Sequence, residues 1–138
     1  MSHFFSKAVA GWGLLAILLL TILFHGLVLV GIIPYEIVWG GRLKSQEQML
    51  TFETVSILIN VCMVTMVAMY LGSIRRWVPM AFLKGMLWAM ALLFLVNTVG
   101  NLFSVNSFEQ MVFTPLTLLL CLFSLRLALA KEEAKPLV

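Results

Sequence analysis

Polar residues interrupt this chain so seldom that the gaps between them define its elements. Four apolar stretches, about residues 8–33, 51–71, 80–103 and 110–130, carry no charge in their central parts. Each reaches the roughly 20 residues that a helix needs to cross a bilayer. In lipid, only a helix satisfies its own backbone within one segment. The first stretch exceeds the ~7–15 apolar residues of a secretion signal, and no small-x-small cleavage site follows it, so it reads as a retained span. Short connections after the second and third spans make neighbours antiparallel. The expected architecture is an all-α integral membrane protein, one domain over residues 1–138, with four transmembrane helices in an up-down-up-down bundle. A loop at 34–50, a turn at 72–79 and a tail at 131–138 complete it.

Within the spans the few polar residues recur at helical spacing. Thr21 and His25 stand at i, i+4 in the first span, and Glu53, Ser56 and Asn60 at i, i+3, i+7 in the second. Asn97, Asn101 and Ser104 follow at i, i+4, i+7 in the third, and Gln110, Thr114, Thr117, Cys121 and Ser124 make a small-polar stripe in the fourth. Such spacings put each set on one helix face. At ~1.5 Å per residue, Asn60 lies about 13 Å below a helix start at Thr51, and Asn97 and Asn101 lie within about 10 Å of their helix end. The polar set thus crowds toward one end of the bundle. Each member has an ordinary explanation as interhelical glue, worth ~0.6–2 kcal/mol. Clustering at one depth on all four helices favours a wet pocket equally well.

Composition removes the soluble alternatives. The 138 residues are 62% hydrophobic and only 11% charged, with a mean hydropathy of +1.08. Soluble domains run near 25% charged, and a chain this small cannot hide such an excess from water. Cys62 and Cys121 form no C-x-x-C pair, and the net charge of +3 is not gathered into a patch for nucleic acid.

Charge placement then sets the orientation. Lys7, Arg75, Arg76, Lys84, Arg126, Lys131 and Lys135 fall on the side of the termini, against only Arg42 and Lys44 on the other. By the positive-inside rule both termini are expected in the cytoplasm, with the protein in the plasma (inner) membrane. Glu36, Glu47, Glu53 and Glu109 then lie on the outer side, with Glu132 and Glu133 in the tail. The insertion rule alone accounts for acidic outer loops. The helix dipole favours Glu53 and Glu109 if they sit in first turns, worth ~0.3–1 kcal/mol each, with Thr51 and Ser107 as N-caps.

The leading functional expectation is a pocket in the outer half of the bundle for a small or lipid-like ligand. It is lined by His25, Glu53, Asn60, Asn97, Asn101 and Glu109, with Trp39 and Arg42 at its rim. In the loop "PYEIVWGGRLKSQEQ", Gly40-Gly41 turns the chain and frees Arg42 to pair with Glu53, with Glu109 or with an anionic ligand. The loop itself is a candidate lid. Pro115 is expected to kink the fourth span and free the carbonyl near Met111. A second expectation is an enzyme in which His25, with Glu53 or Glu109, moves a proton on a lipophilic substrate. A third is a non-catalytic subunit, a homo-oligomer or a small transporter, with Gly11, Gly13, Ala81, Gly85 and Ala89 allowing close helix contact. Membrane lipids are the expected partners. No metal or other cofactor is expected, because His25 lacks ligands at metal spacing and His3 lies at the opposite end.

Overall fold

The computed structural model describes residues 6–131 and is all-helical, with four helices long and apolar enough to span a membrane. These are α1 (Lys7–Leu29), α2 (Gln46–Leu71), α3 (Met80–Leu102) and α4 (Thr114–Ala128), the last preceded by a π-helical turn at Glu109–Phe113. His3, Glu132, Glu133 and Lys135 lie outside the described residues.

Local chemistry moves several boundaries. Ser6 caps α1 by accepting from the Val9 amide at 3.1 Å. The helix ends at Leu29, four residues short of the expected end, because Gly31 adopts φ +79° and the Ile32 and Ile33 amides turn back to the Leu27 carbonyl. Pro34 therefore does not end α1. It caps a short 3-10 turn at Tyr35–Ile37. The second helix starts at Gln46, not Thr51, since Ser45 accepts from the Gln48 amide at 3.2 Å while the Gln48 side chain accepts from the Lys44 amide at 3.0 Å. This is a near relative of the Ser-x-x-Gln capping box. Thr51 instead bonds back to the Glu47 carbonyl within the helix. At the far end Gly72, at φ +76°, closes α2, with the Ser73 amide on the Ala68 carbonyl at 2.9 Å.

The fourth span begins differently from expectation as well. Asn106, not Ser107, caps it by accepting from the Phe108 amide at 2.8 Å. Pro115 has no amide to offer the carbonyl four residues back, and its ring crowds that carbonyl. The helix relieves this with the π-turn just before Thr114. A π-turn inserts one extra residue, so it is Glu109 that turns inward on the Thr117 face, while Gln110 is exposed and bonds the Leu102 and Ser104 carbonyls.

α3 packs mainly on α4, and α1 packs on both α2 and α4, whereas α2 and α3 touch least of the neighbouring pairs. The bundle is thus closed on three sides. One end is a dense apolar core around Leu14, Leu18, Val67, Leu87, Leu120 and Leu127. Two glycines of α1 permit it: a Cβ on Gly11 would meet Leu71 Cδ2 at 2.5 Å, and one on Gly13 would meet Phe123 Cε2 at 2.6 Å. These two serve packing inside the chain. Gly85, flanked by exposed Ala81 and Ala89, has nothing within 4 Å of an added Cβ. At the other end Val28, Val38, Leu43 and Met49 form a second small core beneath the 34–45 loop. Large apolar side chains such as Leu20, Leu58 and Leu92 cover the outer faces, as lipid contact requires.

Candidate functional site

The polar end of the bundle is organised by one turn. Trp39, Gly40 and Gly41 are consecutive residues at φ +57°, +66° and +69°. The left-handed region costs an L-residue about 1–2 kcal/mol, so Trp39 needs compensation. It finds it in Glu53: the indole Nε1 donates to Glu53 Oε1 at 2.8 Å, and the ring stacks edge-on against Phe52 at 5.1 Å. The neighbouring Gly40 amide donates to Glu109 Oε2 at 2.7 Å, joined there by the Ser104 hydroxyl. Adjacent residues of one turn therefore hold two buried carboxylates from different helices. Asn106 adds a third tie, its side-chain amide donating to the Ile37 carbonyl at 2.7 Å.

Glu53 is fully buried, and its second oxygen, Oε2, lies 2.6 Å from His25 Nδ1. It stands about 10 Å along α2 from the helix start at ~1.5 Å per residue. It is therefore not in a first turn, and the dipole explanation does not reach it. Glu109 remains near the start of its helix, where that explanation still applies. Arg42 pairs with neither carboxylate among the described residues, and Glu53 instead meets His25.

Beneath the turn lies a cavity of about 580 Å³. His25, Trp39, Gly40, Arg42, Ser104 and Glu109 line its end at the loop. Asn60, Asn97, Asn101 and Thr117 line its sides, and Met63, Phe94 and Leu120 its floor. Glu53 is absent from the wall and stands behind His25 and Trp39, which it orients. Asn60, about 21 Å along α2 at ~1.5 Å per residue, donates to the Ser56 carbonyl of its own helix at 2.8 Å. Asn101 and Thr98 both reach Thr117 across the α3–α4 contact, at 3.4 and 2.9 Å. Asn97 has no hydrogen-bond partner among the described residues and is exposed.

Several participants escape a reading of side-chain patterns. Thr98 falls off the Asn97–Asn101 stripe by one position yet is buried on Thr117. The Gly40 contribution is a backbone amide, which no residue pattern announces. Among the described residues no three His, Cys, Asp or Glu side chains gather as a metal site requires. Comparison with protein-family models, with characterised proteins and with solved structures finds no match to this chain.

Proposed function

We propose that this is a plasma-membrane protein, with an up-down-up-down bundle and both termini in the cytoplasm, that binds a small amphiphilic ligand in the cavity beneath the 34–45 loop. The observation that carries this reading is the cavity's two-ended chemistry. About 580 Å³ of space has ionisable and amide groups at one end and Met63, Phe94 and Leu120 at the other. Ligand sites typically span about 300–1,000 Å³, mostly apolar with a few fixed polar groups. The opposite half of the bundle, packed with Leu14, Val67, Leu87 and Leu127, offers no polar path for transport. The test is native mass spectrometry of the full chain after mild extraction. A retained lipid or small molecule that is lost in Asn60→Leu and Asn101→Leu supports the reading. Equal retention in wild type and both variants refutes it.

A second reading has its own support. His25 Nδ1 is committed to Glu53, whose other oxygen is committed to Trp39, while Nε2 has no protein partner among the described residues. A carboxylate-oriented imidazole on a cavity wall is the arrangement that proton transfer uses. In that reading His25 is the acid–base group and Glu53 its positioning residue. Turnover of a lipid extract that persists in His25→Ala removes His25 from any chemistry.

A further inference from the structure

We infer that the cavity takes a single-chain lipid anion, its acidic head on Arg42 and its tail leaving the bundle sideways between α2 and α3. This rests on the cavity being a ligand site and adds the class of ligand and its route.

The route follows from where the bundle is open. α2 and α3 make the least contact of the neighbouring helices. Ile59 on α2 and Val96 on α3 line the cavity, yet they are 46% and 60% exposed. A side chain that both lines a cavity and is exposed marks its mouth. Ile59, Leu93 and Val96 are apolar, as a mouth opening into hydrocarbon requires. Gly100 lines the same edge, and a Cβ there would meet nothing within 4 Å. Glycine is among the poorest helix formers, and no packing contact demands it at this position. Its effect is to keep the gap wide. Asn97, exposed and without a partner among the described residues, lies on this rim within a turn or two of the end of α3, where a polar group can meet a lipid head.

The head follows from the charges. Glu53 has both oxygens engaged and stands behind the wall, and Glu109 accepts two hydrogen bonds on Oε2 alone, from the Gly40 amide and the Ser104 hydroxyl. Arg42 alone lines the cavity as a cation with no ion pair among the described residues. A guanidinium presents a planar fork of donors that fits a carboxylate or phosphate oxygen pair. Below it the walls turn apolar toward Met63, Phe94 and Leu120, which suits an alkyl chain.

The test compares probes that share one tail. Delipidated full-length protein in mild detergent is titrated with oleate, oleyl alcohol and acetate, and occupancy is read by native mass spectrometry. Oleate is expected to bind at least about tenfold more tightly than the alcohol, the usual margin for a charge-assisted hydrogen bond. Arg42→Gln should bring the two within about twofold, and Arg42→Lys should retain a preference for the acid. Arg42 is exposed, so circular dichroism should show these variants folded. Gly100→Trp should reduce binding of both tailed probes by closing the gap. Equal binding of oleate and alcohol, with Gly100→Trp weakening both, overturns the anion and leaves the cavity standing as a ligand site. Failure of every probe overturns both readings. An oleate preference that survives Arg42→Gln overturns the role of Arg42. Oleate binding untouched by Gly100→Trp overturns the lateral route, and acetate binding as tightly as oleate overturns the membrane source.

Discussion

Removing the Glu53 carboxylate should release the 34–45 loop while leaving the four helices intact. The perturbation separates two substitutions. Glu53→Gln keeps the shape and can accept from Trp39 Nε1, now at 2.8 Å. Its NH2 meets His25 Nδ1, now at 2.6 Å, only as a donor to the unprotonated nitrogen, and neither bond keeps the carboxylate's charge. The lost charge-assisted bond should cost about 1.5–3 kcal/mol. Glu53→Leu strands both nitrogens, each at about 1–3 kcal/mol, for about 2–6 kcal/mol together. It also removes the bond that offsets the left-handed Trp39, leaving its existing strain of about 1–2 kcal/mol uncompensated. Trp39 should therefore leave, carrying the loop with it. Thermal melting in detergent measures the stability, and proteolysis within residues 34–45 reports the loop. The decisive measurement is a double-mutant cycle of Glu53→Gln with Trp39→Phe. Residues in one hydrogen-bond network couple by about 0.5–3 kcal/mol, whereas independent sites add within about 0.3–0.5 kcal/mol. Additive melting losses, with an unchanged loop in Glu53→Leu, would show that the turn is held by something else.

Gly40→Ala places a side chain at φ +66° and 3.4 Å from Arg42 Nε, so melting should show a loss of about 1–2 kcal/mol. Gly13→Val drives a methyl group into Phe123 and should destabilise by about 1–3 kcal/mol, whereas Gly85→Ala meets open space and should be neutral or stabilising by up to about 1 kcal/mol. Equal effects at the two glycines in the same melting assay would contradict the close α1–α4 approach. Ser124 is fully buried and its hydroxyl has no partner among the described residues, so Ser124→Ala should be neutral or raise the melting temperature.

The spans were legible in the sequence because lipid imposes the harshest pattern a chain can carry, some twenty residues without charge. Their ends were less so, and the reasons differ. The start of α2 was in fact written in "SQEQ", whose capping potential was masked by the polar residues around it; apolar onset pointed to Thr51 instead. The π-turn before Thr114 was half legible: Pro115 announced a disturbance, but not that an extra residue would bring Glu109 inward and Gln110 outward. Helical spacing put Glu53, Ser56 and Asn60 on one face, and that face is the buried one. What spacing cannot supply is pairing between elements. That Glu53 meets His25 and Trp39, or that Glu109 meets a backbone amide, depends on how a glycine turn folds over the bundle end.

The hydrogen bonds also separate the two accounts of the polar residues, one residue at a time. Glue must join helices. Thr98 and Asn101 do so through Thr117, and Tyr70 does so on the Leu127 carbonyl at 2.9 Å. Asn60 does not, since its amide returns to its own helix, and among the described residues Asn97 and Arg42 bond no neighbouring helix. All three line the same cavity. Nor does stability ask for the carboxylates, since a buried charged network is seldom better than a well-packed apolar one of the same volume. Glu53 and Glu109 instead fix the positions of His25, Trp39 and Gly40, three groups on the cavity wall. Asn101 and Thr117 thus serve both tasks, whereas Asn60, Asn97 and Arg42 face the cavity without joining helices among the described residues. Those three join no elements that an alanine or leucine in their place would leave apart.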